Sequence, residues 1–170
     1  MELIEKWDAM LRKLVDHFQN HYFIEVSDQE ILEALFLTLE KKKDLEWIGD
    51  VWDVEIEYEE ALTLLTNFNF ESLKNKVETE QGVIPNDLLF QFKVKIKSKG
   101  QIWIIHKYDA DPFPSNPHAH DITNNIKLDL SNGNCYRIKE YIYTVKRKDL
   151  LLIRQKFEEK SSIQLPKLLV

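Results

Sequence analysis

The sequence predicts an α+β fold: an N-terminal helical lobe packed on an antiparallel sheet of four to five strands, with a C-terminal helix. Three observations carry this. Apolar residues recur at helical spacing through the first forty positions. From residue 90 to residue 145 they alternate with polar ones in short runs separated by turn residues. The helical period then returns over residues 147 to 160.

Residues 3 to 19 form the first helix, with Leu3, Ile4, Trp7, Met10, Leu11, Leu14, Val15 and Phe18 on one face. The second opens with Ser27 as N-cap and Glu30 three residues on, a capping box, and carries an apolar stripe of Ile31, Leu32, Leu35 and Leu39. Lysines 41 to 43 suit the negative end of its dipole. Residues 52 to 58 alternate strictly, with Asp53, Glu55 and Glu57 outward, and read as a strand that can join the sheet. Residues 59 to 77 read as a helix interrupted by Asn67 and Asn69, and residues 82 to 86 as a turn or linker.

Residues 90 to 97 are an alternating strand with Lys93, Lys95 and Lys97 on its outer face. A tight connection at 98 to 100 leads into residues 101 to 108, giving a hairpin. A second hairpin joins residues 126 to 130 to residues 136 to 145 through a turn at 131 to 134. Leu150, Leu151, Ile153 and Phe157 form the apolar face of the last helix, and the final ten residues are irregular. The chain thus divides into an acidic, mainly helical lobe at 1 to 80, a basic sheet with a helix at 84 to 160, and a tail at 161 to 170. The lobe and the sheet can belong to one compact domain.

An apolar content of 44% and an aromatic content of 11% exclude a disordered chain. No apolar run approaches the roughly 18 residues of a membrane span. No basic-then-apolar leader opens the sequence, and the single cysteine, Cys135, has no internal disulfide partner. The expected compartment is the cytoplasm, with no membrane association. The net charge of −6 hides a split: residues 1 to 90 carry 8 Lys/Arg against 21 Asp/Glu, residues 91 to 170 carry 15 against 8. A basic half can attract a polyanion, or the two halves can neutralise each other. Only four glycines are present and none builds a phosphate-binding loop, so nucleotide-dependent kinase, ATPase and dehydrogenase chemistry is excluded.

The richest stretch is residues 106 to 121. It holds three of five histidines, three of five prolines and three aspartates, and it reads as an irregular loop. In an extended chain, His118 and His120 project to one side and can act as general acid and general base. Cleavage of RNA without metal needs such a pair, together with a cation that stabilises charge on phosphorus. Lys107 and Arg137 are candidates for that cation, and Tyr108 for a proton donor or a stacking surface. Trp103, Tyr136, Tyr141 and Tyr143 offer further stacking, with the lysines of residues 93 to 97 either tracking phosphates or guarding a sheet edge. No cofactor is expected. The alternatives are a histidine pair that stiffens a non-catalytic interaction module, or a metal-dependent hydrolase with His106, His118, His120 and Asp121 as ligands. His17 and His21, four apart at a helix end, read as structural.

Tyr108, Asp109 and Ala110, followed by Pro117, His118 and His120, resemble a motif of TumE-type toxins from prokaryotic toxin–antitoxin pairs. Those proteins carry Arg-Tyr-Asp-Asn-Ala-Pro at a strand end, then a proline-bearing loop ending in Pro-His-His-x-His. The similarity spans roughly residues 90 to 158. His106-Lys107 stands in place of the arginine, Asp111 in place of the proline, and the acidic N-terminal half has no counterpart. The resemblance implies a small cytoplasmic toxin acting on RNA or its translation and restrained by a protein partner, an antitoxin. It implicates Asp109, His118 and His120; the residues themselves add Tyr108 to the catalytic set and Lys107, Arg137 and His106 as substrate-binding groups.

Overall fold

The computed structural model describes residues 2–40, 42–74, 76–89, 100–105 and 112–169. The fold is α+β and divides into two compact units, Met1–Phe70 and Glu71–Val170. The break falls earlier than the boundary expected at residue 80, because Val77 and Glu78 are drawn into the sheet.

In the first unit, α1 (Glu2–Tyr22) packs against α2 (Asp28–Leu39), which also meets α3 (Tyr58–Thr66) and a 3-10 turn at Ile48–Asp53. Its core gathers Trp7, Leu14, Ile31, Leu35, Phe36, Leu39 and Leu65, all close to fully buried. The capping box forms: Glu30 N donates to Ser27 Oγ at 3.2 Å and Ser27 N to the Glu30 carboxylate at 2.8 Å. The strand expected at 52 to 58 is absent. Trp52 and Asp53 end the 3-10 turn, and residues 54 to 57 run into α3 without a ladder partner among the described residues. Val54 and Ile56 are nonetheless buried while Glu55 and Glu57 are exposed. Alternation recorded one-sided burial of an extended segment, and pairing is a separate condition.

The helix expected over 59 to 77 is broken. α3 stops at Thr66, a short α4 (Glu71–Lys74) follows, and Val77–Glu78 is strand β1. With strands β2 (Ile102–Ile105), β3 (Ala119–Asp121), β4 (Ile126–Leu128), β5 (Asn134–Arg137) and β6 (Glu140–Thr144), the described residues form a six-stranded antiparallel sheet in sequence order. The single strand expected at 136 to 145 is therefore two, joined by a two-residue turn at Ile138 and Lys139. Both turn residues have positive φ, 49° and 63°. Such a turn favours Asn-Gly, so nothing in Ile-Lys announces it. The lysine strand expected at 90 to 97 lies outside the described residues.

One sheet face packs on α5 (Arg147–Lys160). Ile105, Ala119, Ile126, Leu128 and Cys135 meet Leu150, Ile153 and Phe157, whereas Leu151 is exposed. The expected tail is irregular but anchored. Ile163, Leu165 and Leu168 pack against this core, and Leu169 N donates to the Ser131 carbonyl at 2.8 Å. Arg154 Nη1 donates to the carbonyls of Leu130 and Pro166, closing the tail over the helix. Among the described residues no helix is long and apolar enough to cross a membrane.

Candidate functional site

The proline loop ends in a strand where an irregular end was expected. Pro117 is its last proline, and beyond it every residue again has a backbone donor, so 119 to 121 enter the ladder as β3. The register Ile104–His120–Lys127–Tyr136–Tyr141 runs across five strands. Directly paired residues share a face, so His120 lies on the side away from α5, in one lateral row with Lys127, Tyr136 and Tyr141. Ala119 and Asp121, paired with Leu128 and Ile126, take the α5 side.

His118 and His120 are brought together. Their ring centroids are 4.5 Å apart and their planes 47° from each other. Both are buried, at 3% exposure. Ser115 fixes the first: His118 Nδ1 lies 2.9 Å from its carbonyl oxygen. A carbonyl only accepts, so Nδ1 carries the proton and Nε2 is the basic nitrogen. Ser115 also donates through Oγ to the Pro117 carbonyl at 2.8 Å and accepts from Leu130 N at 3.1 Å. These bonds staple the loop to the end of β4. A serine between prolines carries no catalytic signature, so this role is not legible from residue type or spacing.

Arg137 is half-buried and does not stand open to solvent. It donates to the carbonyls of Asn124 and Leu88. Burial lowers its pKa, opposed by the nearby charge of Asp121. Asp121 is 3% exposed, and burial pushes its carboxyl above the ordinary value, against bonds from Asn124 that favour the charged form. Cys135 is also buried, and its thiol is pushed up to about 12 by burial and then by the charge of Asp121. It is a packing residue with negligible thiolate at neutral pH.

His106, Lys107, Tyr108 and Asp109 lie outside the described residues; Ile105, the last described residue before them, pairs with Ala119. Among the described residues no group of three or more His, Cys, Asp or Glu is placed to hold a metal ion. Asp121 and His120, offered as joint ligands, occupy opposite sides of β3. Of the aromatics considered for stacking, Trp103 is fully buried and Tyr143 packs against the core. Tyr136 and Tyr141 remain on the histidine face, and the loop adds Phe113, 4.8 Å from Tyr136 and edge-on. Lys127 and Phe113 were not legible in the sequence, because only the register puts Lys127 beside His120 and only the path of the loop puts Phe113 against Tyr136. His17 and His21 stack at 4.3 Å at the end of α1, as their i, i+4 spacing allows. No protein-family model, curated protein or solved structure matches this chain.

Proposed function

We propose that the chain is a ribonuclease-like toxin or effector whose His118–His120 pair cleaves RNA by metal-independent acid–base chemistry. One observation carries the reading: two imidazoles 4.5 Å apart, one of them with its tautomer set by the Ser115 carbonyl. In this reading one imidazole takes the proton of a 2′-hydroxyl as its oxygen attacks phosphorus. The other protonates the departing 5′-oxygen, leaving a 2′,3′-cyclic phosphate and a 5′-hydroxyl. Lys107 and Lys127 stabilise the phosphorane charge, Tyr108 and Asp109 orient the substrate, and Arg137 positions the sheet. The TumE resemblance supports the same assignment, and with it a cytoplasmic protein restrained by an antitoxin-like partner.

The test is cleavage of end-labelled RNA in the presence of chelator by the wild type and by His118→Gln and His120→Gln. The polar substitutions guard against collapse of a buried site. Expected is a cyclic-phosphate product, and a loss of about a hundredfold or more in either variant at unchanged thermal stability. Absence of cleavage by folded wild type, or undiminished cleavage by both variants, rejects the reading.

Burial favours a second reading. At 3% exposure each sits where a structural histidine sits, and His118 is bonded into its own loop. A non-catalytic interaction module then predicts that the same variants lose stability while no RNA cleavage is ever seen.

A further inference from the structure

The histidine face is graded in exposure along its lateral row. Tyr141 is 58% exposed, Tyr136 and Phe113 are half-buried, and His118 and His120 are buried. The three aromatic rings touch in series. Tyr141 lies 6.2 Å from Tyr136 at 77°, and Tyr136 lies 4.8 Å from Phe113 at 66°. Edge-to-face contact fixes the angle between neighbouring rings without stacking them in parallel. A register shift between Cys135 and Tyr136 admits an extra residue in β6, turning Ile142 and Tyr143 to the core and leaving Tyr141 on the histidine face. The Tyr141 hydroxyl is tied to Thr144 Oγ1 at 2.7 Å, and Thr144 Oγ1 donates to Asn134 Oδ1 at 2.8 Å. The most exposed ring is thus held in place before anything binds.

Cations flank the rings. Lys127 lies between His120 and Tyr136 in the row, and exposed Lys139 sits at the turn that leads to Tyr141. The unit that holds this face carries 17 Lys/Arg against 12 Asp/Glu. Ordered aromatic faces interleaved with cations suit bases on the rings and phosphates between them.

We infer that this face is a stacking platform for the unpaired bases of a single-stranded nucleic acid, with Tyr141, Tyr136 and Phe113 as its rings. The inference deepens the proposed activity by naming its substrate class. Strand spacing puts Tyr136 about 10 Å and Tyr141 about 14 Å from His120 along the row. A base stacked on Tyr136 therefore brings the neighbouring phosphate toward Lys127, the residue next to buried His120 in the row. Duplexes are rejected, because their bases are already stacked on each other.

Anisotropy of a fluorescein-labelled 2′-O-methyl oligouridine, which cannot be cleaved through its 2′-oxygen, reports binding apart from chemistry. The full chain is expected to bind it, and to bind its duplex with a complementary strand far more weakly. Tyr141→Ala, at an exposed position, weakens binding roughly tenfold or more, and Tyr141→Phe, which keeps the ring but loses the tether to Thr144, recovers most of it. Oligothymidine DNA bound as tightly also supports the platform and widens its ligand from RNA to unpaired bases of either kind. No binding, equal duplex binding, or a Tyr141→Ala variant that binds like the wild type overturns it. Binding without cleavage removes the activity and keeps the platform; cleavage with a silent Tyr141→Ala does the reverse.

Discussion

Arg137 ties two distant chain segments together: Nη2 donates to the Leu88 carbonyl at 2.7 Å and to the Asn124 carbonyl at 3.0 Å, and Nε adds a 3.1 Å bond to Asn124. A lysine ammonium cannot reproduce that planar fork. Arg137→Lys is expected to lower stability by about 1.5 to 3 kcal/mol in urea unfolding. RNA cleavage should then fall only with the folded fraction. Loss of cleavage in fully folded Arg137→Lys would assign Arg137 to phosphate instead.

Asp121 makes the stability of the sheet depend on pH. Its folded pKa is raised above 3.8 by burial, so the folded state favours the protonated form. The stability it contributes is fully present below 3.8 and is lost as pH rises through the raised folded value. Asp121→Asn removes that titration. Unfolding free energies of both proteins from about pH 3 to about pH 8 should show the wild type losing ground to the variant as pH rises, then a constant difference. A difference flat across the whole range would mean that Asp121 titrates alike in both states.

The β5–β6 turn holds Ile138 and Lys139 at φ of 49° and 63°, a backbone that β-branched residues resist. Replacing both, as Ile138→Asn with Lys139→Gly, should stabilise the protein by about 1 to 3 kcal/mol, read as a higher melting temperature. A lower melting temperature would show that Ile138, 52% exposed, gains more from packing than its backbone loses.

Sequence by itself determined the elements whose signals are local. α1, the Ser27–Glu30 box and α5 follow from helical period and caps, which act within a few residues. The approach of His118 to His120 was legible for the same reason, since alternation along one chain sets it. What joins distant segments was decided by tertiary structure. The 52 to 58 segment alternates like a strand yet finds no partner among the described residues, whereas Val77 and Glu78 carry almost no strand signal and pair with β2. Pairing depends on what the rest of the chain presents, and no local pattern encodes that. Lys127 and Tyr136 reach the histidine face only through the register of three strands, Phe113 only through the loop that folds over it, and Arg137 was drawn from solvent to two carbonyls by the folded sheet. The chemistry of this face was written in its side chains, but its composition was set by pairing.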